Sequence, residues 1–262
     1  LHLLLTYKLE NIRIFASGNS QNSGIRLKGF FSGVDGPTIT SSLRLSLRFD
    51  QRNNRMFPTS GNFQSLSVEH ADWYLGSDNR FTRLSFNSRW YFGLPFFGKD
   101  FLPVLRFNLN LGWIVSPAAR GVPSFERYRI GGLQTIRGFA PFSIGPTRNI
   151  GSESEGSFAI QPLNWGGSKQ VIFNAEIEIP LVPSVGLKGV LFFDAGNAYD
   201  DTELMFQDRR YPNLPLGLFM SAGFGIRWLS PIGPLRFEFG LPITRRPGDQ
   251  AILFEFGIGN AF

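Results

Sequence analysis

Residues 104–113 alternate without a break between Leu105, Phe107, Leu109, Leu111 and Trp113 on one parity and Arg106, Asn108, Asn110 and Gly112 on the other. Successive side chains of a β-strand point to opposite faces, so this segment has one apolar face and one polar or small face. Residues 82–92 repeat the pattern, with Leu84, Phe86, Trp90 and Phe92 against Arg83, Ser85, Asn87 and Arg89, and Ser88 as the one break. In 42–50, Leu43, Leu45, Leu47 and Phe49 oppose Ser42, Arg44, Ser46 and Arg48. In 235–241, Leu235, Phe237, Phe239 and Leu241 oppose Arg236, Glu238 and Gly240. Alternation also fits an antiparallel sheet half-exposed to water. Here, however, the apolar sets are large and often aromatic on nearly every strand, and no helical segment is available to cover them. A charge on a lipid-facing strand position costs about 2–4 kcal/mol near the bilayer midplane, and the arginines keep to the other parity. The pattern predicts lipid outside and a hydrated lumen inside.

Composition agrees with that reading. There are 28 Phe, yet only 18% of residues are charged, against about a quarter in an ordinary soluble domain. Mean hydropathy is nonetheless close to zero, and no run of about 18 apolar residues offers a transmembrane helix. One greasy face and one wet face are what a transmembrane barrel requires; a soluble β-sandwich is the alternative. The absence of cysteine excludes thiol chemistry, disulfides and cysteine-based zinc sites. The net charge of +6 is spread singly along strands, which argues against nucleic acid. His2 and His70 have no metal-ligand spacing, and no Gly-x-Ser-x-Gly motif is present. The chain is therefore expected to be no enzyme, with no catalytic residue, metal or cofactor.

Ten strands are expected, near 1–15, 39–51, 62–73, 80–93, 103–115, 170–180, 187–199, 217–230, 234–242 and 251–262. Short turn-like links (55–61, 95–99, 182–184, 230–233) alternate with longer polar ones (16–38, 116–169, 201–216, 244–250), the tight 76–79 turn excepted. Barrels of the outer membrane have short periplasmic turns and long external loops, which puts the C-terminus on the periplasmic side. All 262 residues read as one domain. Because an exported protein needs a leader and the sequence starts at Leu1, a C-terminal portion of a longer precursor is expected.

The long 116–169 segment contains Gly131-Gly132-Leu133-Gln134-Thr135-Ile136-Arg137-Gly138-Phe139. The next strand places Asn174, Glu176 and Glu178 on its polar parity, and the one after it places Lys188, Val190, Phe192 and Asp194 together. An arginine in a carboxylate-lined cavity can make a bidentate, charge-assisted contact. Gly138 can supply the positive φ of a tight turn. The last segment alternates Ile252, Phe254, Phe256, Ile258 and Phe262 against Leu253, Glu255, Gly257, Gly259 and Ala261, with Asn260 out of pattern.

Several of these stretches resemble the BamA-type outer-membrane assembly factors of the bacterial surface antigen family. Ile136-Arg137-Gly138-Phe139, after the Gly131-Gly132 pair, resembles the motif of a loop that folds back into the barrel. Phe193-Asp194-Ala195-Gly196-Asn197, Ser230-Pro231-Ile232-Gly233-Pro234-Leu235 and Phe57-Pro58-Thr59-Ser60-Gly61 resemble further family segments, in family order. The resemblance implies an all-β fold: a transmembrane antiparallel β-barrel of which these are about the last ten of sixteen strands, with a long inward-folding loop. The N-terminal strands and the periplasmic POTRA domains would lie outside this chain. It implies Glu178 and Asp194 as barrel-wall partners of Arg137. It implies a lateral-gate strand and C-terminal signal in Phe254, Phe256, Gly257, Ile258, Gly259 and Phe262. The implied function is folding and insertion of client outer-membrane β-barrel proteins, without nucleotide hydrolysis. The implied partners are accessory lipoproteins, the lipid bilayer and lipopolysaccharide. Alternatives are a relative serving autotransporter assembly or two-partner secretion, or a passive porin.

Overall fold

In the computed structural model, ten strands join edge to edge into one antiparallel sheet, and the chain visits them in order. The structure describes residues 1–13, 38–95, 101–119, 121–154, 157–231 and 233–259, with side chains omitted over 149–162. Phe262, Asn260, Ile232, the 96–99 part of one expected turn and the 14–37 link lie outside the described residues. The first half of the sheet holds β1 (His2–Ile12), β2 (Thr38–Asp50), β3 (Gly61–Ala71), β4 (Phe81–Gly93) and β5 (Val104–Val115). The second half holds β8 (Lys169–Val182), β9 (Leu187–Tyr199), β10 (Phe219–Ser230), β11 (Gly233–Pro242) and β12 (Leu253–Ile258). The sheet is not closed: β1 and β12 each have one neighbour among the described strands.

One difference from the expected layout is a separate hairpin of β6 (Thr147–Ser154) and β7 (Ser157–Asn164), inside the long connection between β5 and β8. Its sequence lacks the apolar alternation that marks the other strands, because it pairs only with itself and takes no place in the main sheet.

The main strands other than β12 are 10 to 14 residues long, the length a tilted strand needs to cross a bilayer core, about 9–11 residues. Most of their apolar parity is exposed or half-buried, Leu45, Leu84, Trp113, Leu191, Phe224 and Phe254 among the exposed, while Val171, Ala195 and Leu235 are buried. A water-soluble monomer rarely shows so continuous an apolar surface. Aromatic rings pack at a tilt across strand boundaries on this face: Phe237 against Phe256 and Phe239 against Phe254, with ring centroids 5.1 Å apart in each pair. The break at Ser88 has a local explanation. The Trp90 indole N–H donates to Ser88 Oγ at 2.9 Å, so neither polar group meets lipid unpaired.

The opposite parity is polar and buried, with Arg106, Asn108, Asn174, Glu176, Arg227 and Glu238 among its members. The apolar core also lies on this side. Ile130, Ile136, Phe139 and Ile144 of the β5–β8 connection pack on Ile172, Ala198 and Phe219 of the strands. The long connection therefore fills the lumen face instead of lying outside it.

Candidate functional site

The connection enters the lumen through a sharp reversal. Gly131 and Gly132 both have positive φ, the Gly132 N–H donates to the Ile136 carbonyl at 3.0 Å, and the Gly131 N–H donates to Thr135 Oγ1 at 2.8 Å. This reversal presents Ile136, Arg137, Gly138 and Phe139 to the wall. Ile136 and Phe139 are buried on either side, Phe139 edge-on to Phe219 with centroids 5.7 Å apart.

Arg137 is 2% exposed. Its Nε and Nη2 donate to the two oxygens of Asp194 at 2.7 Å each, and its own backbone N–H donates to Asp194 Oδ2 at 3.0 Å. Nη1 donates to Glu176 on β8 and Glu238 on β11, both at 3.0 Å. In a flat sheet, β8 and β11 would stand about 14 Å apart. That their carboxylates meet on one nitrogen shows the sheet curling around the loop. The guanidinium also lies over the Phe192 ring, 3.7 Å from its centroid. Burial alone would pull the Arg137 pKa down; Asp194, Glu176 and Glu238 instead hold it well above the ordinary arginine value.

The cluster extends beyond Arg137. Arg227 of β10 donates to Glu176 at 2.7 and 2.9 Å and to Glu238 at 2.9 and 3.0 Å. Arg106 donates to Glu178 at 2.9 Å, and Arg236 to Glu238 at 3.0 and 3.1 Å. Buried charges are tolerable only when paired and hydrogen-bonded. Arg106, Arg137, Arg227 and Arg236 meet that condition together with Glu176, Glu178, Asp194 and Glu238.

Of the two carboxylates expected beside Arg137, Asp194 meets it and Glu178 does not. Glu178 instead pairs with Arg106, Arg227 and Lys188. The register explains this: Asp194 lies opposite Asn174, whereas Glu178 lies opposite Val190, four residues along the strand, or roughly 13 Å at 3.3 Å per residue. Glu176, one inward position nearer, takes the contact. Asn174 bridges the pair, donating to Asp194 Oδ1 at 2.8 Å and to the Thr135 carbonyl at 2.7 Å. Glu238 and Arg227 lie on strands whose approach to the loop depends on the sheet's curl, which no local pattern records.

Close fits between glycines and the loop complete the docking. Gly138 has φ +83°, and a Cβ there would lie 2.8 Å from the carbonyl carbon of Gly240; one on Gly240 would lie 2.3 Å from the Gly138 nitrogen. On β12, a Cβ at Gly257 would meet Leu133 Cδ2 at 2.3 Å, and Glu255 accepts from the Gly138 N–H at 3.2 Å. Gly257 thus seats the loop. Phe254, Phe256 and Ile258 face outward, and Gly259 follows the end of β12. Two further arginines tie the connection down: Arg127 to Asp200 and Asp201 at 3.0 Å each, and Arg246 to the Ser143 carbonyl at 2.8 Å.

The sequence pattern of the Omp85 superfamily domain matches residues 2–262. The outer membrane protein assembly factor BamA of Neisseria meningitidis serogroup B is 27% identical over 237 residues, 81% of this chain and 28% of that protein. Sorting and assembly machinery component 50 homolog A of Xenopus laevis is 30% identical over 234 residues, covering 87% of this chain and 47% of the relative. The chain thus spans less than half the length of these relatives. Among solved structures, BamA from Haemophilus ducreyi lacking POTRA domains 1–3 superposes with a TM-score of 0.68 at 24% identity, over 97% of this chain and 49% of that one. The sheet has the fold of part of that barrel.

Proposed function

The chain belongs to the Omp85 superfamily, and we propose from that premise that it is the barrel portion of a factor that folds and inserts β-barrel proteins into the bacterial outer membrane. The observation that carries the reading is the loop fastened inside the sheet, with Arg137 joined to β8, β9 and β11. A porin needs an open lumen; here the loop occupies it. The names of the bacterial and amphibian relatives as assembly components support the same reading.

In this proposal, β12 is one side of a lateral gate. Among the described residues it is the shortest strand of the main sheet, at six residues. Backbone groups left unpaired in lipid are costly, so a seam opening beside β12 would favour addition of a client strand by β-augmentation. Client pairing and burial of client apolar surface in lipid would supply the free energy, with no nucleotide hydrolysis and no catalytic centre. The short turns and the C-terminus would face the periplasm. POTRA domains and accessory lipoproteins would deliver clients there, and lipopolysaccharide would surround the external rim.

Depletion of the protein in its own host tests the proposal. General loss of β-barrel proteins from the outer membrane is expected. Loss of a single secreted adhesin or autotransporter would favour a dedicated secretion role, and loss of one solute's uptake a porin; either would overturn it.

A further inference from the structure

We propose that the connection between β9 and β10 is a membrane-surface anchor, which presses Leu204, Phe206 and Leu216 into lipid at the end of the barrel wall opposite the short turns. The outer face of the sheet is interrupted there. On β8 and β9 that face carries Val171, Ala195, Asn197 and Tyr199, and all four are buried, whereas Leu191, farther along β9, is exposed.

The cover is the connection itself, residues 200–218, which folds back over the outside of the sheet. Leu218 joins Val171, Ala195 and Tyr199 in a small core on that side, with Met205 packed against it. Asn197 Nδ2 donates to Asp208 Oδ2 at 2.8 Å and to the Gly217 carbonyl at 2.9 Å, and the Tyr199 hydroxyl donates to the same carbonyl at 3.1 Å. Polar groups on lipid-side positions are thereby satisfied within the protein. The connection stands where lipid would otherwise touch the strands.

Its own surface is apolar at three points: Leu204 is 67% exposed, Phe206 50% and Leu216 71%. A Cβ on Gly217 would lie 2.6 Å from the Phe206 carbonyl carbon, so the chain brings Phe206 and Leu216 close together. Both hold left-handed backbone, at φ +67° and +52°, a region that is unfavourable for bulky side chains and ordinarily given to glycine. Glycine at either position would make the same turn without strain. Packing inside the protein does not offset that strain, because half or more of each side chain lies outside it. Contact with lipid does.

The patch stands on the same outer face as Leu191 and Phe224, which are paired across β9 and β10 and exposed on the wall. At 13 residues β9 exceeds the about 9–11 needed to cross a bilayer core. Its Tyr199 end therefore lies at the boundary between acyl chains and headgroups, where an apolar patch inserts shallowly.

The test uses the full-length protein in nanodiscs of phosphatidylcholine and phosphatidylglycerol, with one nitroxide on a single introduced cysteine at Leu204, Leu216 or Leu191. Electron paramagnetic resonance compares collisions with oxygen, which concentrates in lipid, and with a water-soluble nickel chelate. Leu204→Cys and Leu216→Cys should favour oxygen, less strongly than Leu191→Cys on the wall. Phe206→Gly relieves backbone strain and should keep the fold, yet should shift the label at Leu204 toward nickel. Nickel favoured at both loop positions would overturn the proposal. So would exclusion of both reagents, which would mean that another protein surface covers the patch, or an unchanged label in the Phe206→Gly protein. Nickel favoured at Leu191 as well would overturn the membrane placement on which the anchor rests.

Discussion

Arg137 and Asp194 share three hydrogen bonds, two from the guanidinium and one from the arginine's own backbone N–H. The contact therefore fixes both the side chain and the path of the loop at that residue. Removing only the side chain leaves Asp194, Glu176 and Glu238 buried around an empty site. Breaking a buried ion pair from one side costs about 3–5 kcal/mol. Arg137→Ala should lower resistance to heat or denaturant by that order, read as loss of the compact band on a semi-native gel. Arg137→Lys keeps the charge but loses the fork and should fall between the two.

The glycine seats make a second test. Gly240→Ala places a methyl 2.3 Å from the Gly138 backbone nitrogen, with no flexible group to give way, and overpacking of this kind costs about 1–3 kcal/mol. Gly257→Ala meets only the tip of the Leu133 side chain, which can turn aside, and should cost less. A Gly240→Ala protein as stable as the unaltered one would mean that the loop does not rest on β11.

Membrane placement predicts a depth-dependent cost. Leu45 lies near the middle of β2 on the exposed apolar face, and Phe49 on the same parity near its turn end. Leu45→Arg should destabilise the barrel in lipid by about 2–4 kcal/mol and Phe49→Arg by about 0–1 kcal/mol. Equal costs at the two sites would contradict the lipid assignment.

The connection between β9 and β10 is pinned by Asp208. Burial works against its charge, but donors from Asn197 at 2.8 Å and from Arg210 at 2.7 and 3.1 Å hold its carboxyl below the ordinary carboxylate value. A depressed folded pKa contributes stability in full above the unfolded value, near about 3.9, and that contribution disappears as pH falls through the lower folded value. Hydrogen exchange at the Arg210 and Tyr211 amides, both bonded to Asp208 Oδ1, should be unchanged in protection from pH 7 to about 5 and lose it below about 4. Asp208→Asn should weaken that protection across the range.

The alternation in β4, β5 and β11 was legible in the sequence because a strand's period of two is written in consecutive residues. So was the grouping of Glu176 and Glu178 on one face. Which of them meets Arg137 was not legible, since that depends on the β8–β9 register, and one inward position separates the two answers. Glu238 reaches the loop, and Arg227 reaches Glu176 two strands away, only because the sheet curls, a property of several strands together. The β6–β7 hairpin left no signal because it pairs only with itself and takes no place in the main sheet. Gly257 entered the sequence reading only as part of the implied gate strand; its contact with Leu133 becomes visible only once the loop is docked.

The most direct measurement of the loop's place is cross-linking between Leu133→Cys and Gly257→Cys in native membranes, in a chain that otherwise has no cysteine. With the loop docked on β12, oxidation or a short bifunctional thiosulfonate should join the two residues in most molecules. Arg137→Ala in the same background should reduce the yield. Two thiols that stay free and react readily with a water-soluble maleimide in the unmodified-arginine protein would contradict the account.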